Sequence, residues 1–98
     1  MARKIRIAAV QAAPVPIEDN TDALRTQVRD VVATHAPDLI VFPELHCFGA
    51  DHDDLEVQNA RLRASAISLD EARTRYSTIA RDHGVWLLPG TICERSDG

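Results

Sequence analysis

Two short apolar runs, Ile5–Gln11 (IRIAAVQ) and Asp38–Phe42 (DLIVF), flank a stretch whose apolar residues recur at helical spacing. This change of period constrains the fold more than any other feature of the chain. Ile5, Ile7 and Ala9 would lie on one face of a strand and Ala8 and Val10 on the other, so the first run predicts a strand buried on both sides. Pro14 and Pro16 bar a regular element next. Leu24, Val28, Val31, Val32 and His35 then fall on one helical stripe from about Asn20, with Asp19 or Asn20 as N-cap. An aspartate at Val31 is therefore expected to cost several kcal/mol. Pro37 ends that helix, and Asp38–Phe42 is too short for anything but a second buried strand.

Further along, a helix is expected over Leu55–Ala64, after a loop carrying Asp51, Asp53 and Asp54. Ser68-Leu69-Asp70-Glu71 is a capping-box pattern, in which the Ser hydroxyl accepts the Glu71 amide and the Glu71 carboxylate reaches back. The helix it opens carries Ala72, Tyr76, Ile79, Ala80 and His83 on one face, and Gly84 suits its C′ position. Val85–Leu88 and Thr91–Glu94 read as a third strand interrupted by Pro89-Gly90. Strand, helix, strand, helix, strand predicts an α/β unit with a largely parallel sheet. The closing Ser96-Asp97-Gly98 reads as a hairpin turn without a returning strand, as if cut there. Thr91–Glu94 would then be an unpaired, association-prone edge.

With 98 residues there is room for one domain, and a formal charge of −4 argues against a nucleic-acid surface. No apolar run is long enough to span a bilayer, and Met1-Ala2-Arg3-Lys4 shows no signal-peptide pattern. Cys47 and Cys93 form no disulfide framework, which suggests a reduced, cytoplasmic protein. His46, Cys47, Asp51, His52 and Asp53 are potential metal ligands but lack zinc spacing, and an acidic solvated loop is the better reading. His35 and His83 end helices, where a positive charge suits the dipole.

In open α/β sheets functional groups gather beyond the carboxyl ends of the strands. Glu44 sits there, after Asp38–Phe42 and Pro43. Flanked by Phe42, Pro43 and Leu45, it is expected to be largely shielded from water, to face a cavity and to serve as a base near neutral pH. On position alone, however, a loop cap or an arginine partner accounts for it better, since structural ion pairs also perturb acids.

The segments IRIAAVQ, DLIVFPEL with a Gly four residues beyond Leu45, and GVWLLPGTICER, in this order, resemble the opening of the carbon–nitrogen hydrolase (nitrilase/amidase) superfamily. The likeness covers nearly the whole chain and implies the N-terminal portion, residues 5–98, of an α-β-β-α sandwich domain. It also implies hydrolysis of an amide or nitrile by a Glu–Lys–Cys site without metal or cofactor. Glu44 matches the family's glutamate. Neither Lys4, ahead of the first strand, nor Cys47 matches the other two, which lie further downstream in the family; Cys47 reads as a pocket or packing residue, Cys93 as a small buried hydrophobe. His46 and Phe48 occupy a stretch that often lines the substrate pocket of related enzymes. The implied partner is a small-molecule substrate, with homo-oligomerisation of the full-length protein and no nucleic acid or membrane. The alternative is a non-catalytic α/β module that binds a partner along its open sheet edge.

Overall fold

Three short parallel strands form the centre of the computed structural model, which describes residues 3–50 and 52–95. They are β1 (Ile7–Ala9), β2 (Leu39–Val41) and β3 (Trp86–Leu88), in spatial order β1-β2-β3. Ile7, Leu39 and Trp86 are side by side, as are Ala8, Ile40, Leu87 and Ala9, Val41, Leu88. Three helices complete the described chain: α1 (Asn20–His35) between β1 and β2, then α2 (Leu55–Ser65) and α3 (Leu69–His83) between β2 and β3. The architecture is α/β, as the alternation of periods implies.

Because the strand order never reverses, right-handed crossovers place α1 and α3 on the same side of the sheet. That side is the core. Leu24 and Val28 of α1, Ile40 and Phe42 from the second strand and its end, and Ala72, Tyr76 and Ile79 of α3 are all buried there. Ala8, Val10 and Leu87 pack against them from the neighbouring strands. The opposite side is bare. Ile7 is 58% exposed, Trp86 79% and Leu88 54%. Strand β1 is thus covered on one face only, which corrects the expectation of burial on both. Both runs are apolar on both faces, so periodicity marks two buriable faces without saying whether this chain covers each.

Local chemistry sets the helix ends. Ser68 accepts the Glu71 amide at 3.1 Å, the first half of the capping box. The Glu71 carboxylate does not reach back; it takes Arg75, one turn on, at 2.9 Å. Gly84 closes α3 in the left-handed conformation with φ 64°, and the bonds Gly84 N–H to Arg81 O and Val85 N–H to Ala80 O make a Schellman cap. Helix α1 starts differently from expectation. A 3₁₀ turn, Ile17–Asp19, feeds straight into it, so Asn20 is already helical. Its side chain donates instead to Cys47 O at 3.0 Å; the side chain of Asp19 lies outside what is described. Asp54 caps α2 through the amides of Glu56 and Val57, and that helix buries no residue fully.

Thr91–Glu94 is not a strand. Its one strand-like pairing among the described residues is a bridge, Ile67 to Glu94, with Ile67 N–H donating to Cys93 O and Arg95 N–H to Ile67 O. The free sheet edges therefore belong to β1 and β3. The turn read at Ser96-Asp97-Gly98 lies outside the described residues. Among the described residues no helix is long and apolar enough to cross a membrane.

Candidate active site

Pro43 follows the central strand and cannot extend its ladder, so the chain leaves the sheet and turns over Glu44–Cys47. His46 N–H returns to Pro43 O at 3.2 Å and Phe48 N–H to Leu45 O at 3.0 Å. The segment ahead of α1 buttresses this turn: Val15 N–H donates to His46 O at 2.7 Å and Gly49 N–H to Val15 O at 2.9 Å. Gly49 is needed for that approach, since a Cβ there would lie 2.5 Å from Val15 O.

Glu44 thus stands beyond the carboxyl end of an interior strand, as expected. Its side chain is exposed rather than shielded, which corrects the desolvation expectation. The apolar neighbours Phe42 and Phe48 turn inward to the core and leave the carboxylate at the surface. It does face a cleft, of about 250 Å³, lined by Pro14, Leu45, Phe48, Gly49, Ala50, Gln58 and Leu62. That is below the roughly 300–1,000 Å³ usual for ligand pockets.

Of the two residues expected along the substrate pocket, the structure brings only Phe48 to the cleft. His46 points the other way and is 0% exposed. It stacks on Phe42 with ring centroids 4.7 Å apart, and its Nε2 lies 2.7 Å from Gln27 Oε1. With an amide oxygen as acceptor, Nε2 carries the proton; Nδ1 is buried with no hydrogen-bond partner. His46 is a core residue that ties the turn to α1. The resemblance implied a pocket position for it; its partner Gln27, nineteen residues earlier, is invisible in local pattern.

Burial pushes the pKa of His46 below the ordinary 6.5. The unfolded chain therefore takes up this proton first, so the stability due to neutral His46 is present above 6.5 and lost as pH falls from there through the folded value. Glu18 is held below its ordinary 4.5 by a backbone hydrogen bond and by Arg61, so its own loss comes at more acidic pH. The urea midpoint should accordingly drop as pH falls below 6.5, and His46→Gln should flatten that drop. Equal pH slopes in the two proteins would contradict it.

Cys47 is also turned into the core and is 1% exposed. Burial raises the pKa of its thiol, an effect that the neighbouring Tyr76 hydroxyl and Arg75 only partly offset. A thiol kept neutral is a poor nucleophile, and Cys47 is not on the cleft wall. Cys93, half-buried, is raised by burial as well. Lys4 precedes β1, at the amino end of the parallel strands, whereas Glu44 lies past their carboxyl end. Neither Lys4 nor Cys47 therefore joins Glu44 in one site. The five potential metal ligands do not converge: His46 and Cys47 are internal, His52 and Asp53 are exposed, and Asp51 lies outside the described residues. His52 Nδ1 accepts the Asp54 amide at 2.9 Å, within its own loop.

Sequence reasoning passed over two residues at this site, Gly90 and Thr91. Gly90 has φ 95°, and a Cβ there would come within 2.2 Å of Pro43 O. Thr91 Oγ1 accepts the Leu45 amide at 3.0 Å. The local signals were the Pro89-Gly90 break in an apolar run and the place of both residues in the GVWLLPGTICER segment.

Residues 6–98 match the carbon-nitrogen hydrolase family, and the chain belongs to that family. Searches of curated proteins and of solved structures give no significant match. Membership places the chain among hydrolases of carbon–nitrogen bonds, and the helix-backed parallel sheet agrees with the N-terminal part of a nitrilase-type fold.

Proposed function

We propose that Glu44 is the general base of an amide- or nitrile-hydrolysing site, and that the adjoining cleft takes the small group next to the scissile carbon. The observation that carries this reading is the position of Glu44: past the end of the central strand, on the wall of a small apolar cleft, in a turn tied down from both sides. In the reaction, the Glu44 carboxylate takes the proton of a cysteine thiol as sulfur attacks the amide or nitrile carbon. With an amide, the protonated Glu44 returns the proton to the leaving nitrogen, and ammonia or an amine departs from the tetrahedral adduct, leaving a thioester on the cysteine. Glu44 then deprotonates water, which releases the acid and restores the thiol. A lysine would stabilise the tetrahedral oxyanion.

The resemblance assigns that thiol and that lysine to sequence downstream of the PGTICER segment, in a domain of which residues 5–98 are the N-terminal portion. The bare face of Ile7, Leu39, Trp86 and Leu88 supports this reading, because a sandwich domain packs a second sheet there. Trapping the intermediate tests it. The reading frame expressed past Gly98 and quenched in acid during turnover of a simple amide should carry one acyl adduct, located by mass spectrometry on a cysteine beyond Gly98. An adduct on Cys47 or Cys93 would overturn the assignment.

A further inference from the structure

The geometry points to Thr91 as a positioning residue that holds Glu44 in place through the backbone, a role that rests on the proposed function of Glu44. Leu45 adopts φ 50°, one of two described non-glycine residues in the left-handed region. A leucine has no side-chain group to hydrogen-bond locally and ease that conformation, so something outside the turn must hold it. Its amide donates to Thr91 Oγ1 at 3.0 Å across forty-six positions of sequence. That amide belongs to the peptide plane joining Glu44 to Leu45. Fixing its direction fixes ψ of Glu44 and φ of Leu45 together, and with them the start of the Glu44 side chain.

Thr91 can reach the turn because Gly90 precedes it. Backbone meets backbone there, with Pro43 O occupying the space a Cβ would need and His46 N 3.2 Å from the same point. Pro43 and Leu45, the two neighbours of Glu44, are therefore both gripped by consecutive residues beyond β3. The backbone bonds within the turn, His46 N–H to Pro43 O and Phe48 N–H to Leu45 O, do not use the Leu45 amide, whose acceptor is Thr91.

Thr91→Val removes the hydroxyl and keeps the β-branched shape; Thr91→Ser keeps the hydroxyl. In the 98-residue chain, Leu45 amide exchange should accelerate about tenfold in Thr91→Val, the equivalent of one hydrogen bond, while the amides of Ile40 and Ile79 stay unchanged. The side-chain carboxyl carbon resonance of Glu44 should shift in Thr91→Val and return in Thr91→Ser. Unchanged Leu45 exchange in Thr91→Val, or a Glu44 resonance that Thr91→Ser does not restore, would overturn the inference. These readouts need no turnover, so they can fail or succeed independently of whether Glu44 is the base.

Discussion

Val28→Asp is expected to lower the thermal midpoint of the chain by tens of degrees. Val28 is 0% exposed, on the α1 stripe that faces the sheet and α3, in a cluster with Leu24, Ile40 and Ile79. A carboxylate there has no cation and no water within the core, and an uncompensated buried charge costs about 3–5 kcal/mol. Whole domains have only about 5–15 kcal/mol, and one with a bare sheet face belongs at the low end. For a chain of this length each kcal/mol moves the midpoint by about 4–8 °C, so the drop should be roughly 12–40 °C. Val31→Asp is the useful comparison. Val31 is half-buried and lines the groove between α1 and β1 with Arg6, Thr34 and His35. Its carboxylate can turn to water or toward Arg6, so the several kcal/mol expected at Val31 from periodicity belongs at Val28 instead. Circular dichroism melts of the two variants check this; equal losses would mean that the buried stripe is misplaced.

The contrast between Val28 and Val31 shows where local pattern stops being informative. Helix α3 was legible end to end, because the Ser68 cap and the Gly84 terminus are decided by groups within a turn of each other. The stripe of α1 was legible as a stripe, but which of its members sit deepest depends on where the sheet ends beneath them. Glu44 could be placed because a carboxyl end of a buried strand followed by Pro43 leaves few options for the chain. Its exposure could not be foreseen, since Phe42 and Phe48 are buried in the core and leave the carboxylate uncovered. Thr91–Glu94 has the residue types of a strand, yet its bonds go to a single residue, Ile67, and to the Glu44 turn. The grip of Thr91 on Leu45 and the bond of His46 to Gln27 are tertiary contacts, and no residue spacing announces them.

The largest expected effect on chemistry is total. Glu44 can accept a proton, but within this chain Cys47 is buried with a raised pKa and Lys4 lies at the far end of the sheet. Members of such a site act as a unit, so a base without its nucleophile retains little of the acceleration. The 98-residue chain should therefore release no ammonia from simple amides or nitriles above background. The frame expressed past Gly98 should do so, and Glu44→Gln, which keeps the shape and cannot act as a base, should cut its kcat by about 10²–10⁴-fold. Ammonia release by the short chain, the extended chain and the extended Glu44→Gln variant, measured side by side, shows whether Glu44 is the base. Activity is expected in the extended chain alone. Undiminished turnover in Glu44→Gln, or turnover by the short chain that disappears when Cys47 is replaced, would contradict it.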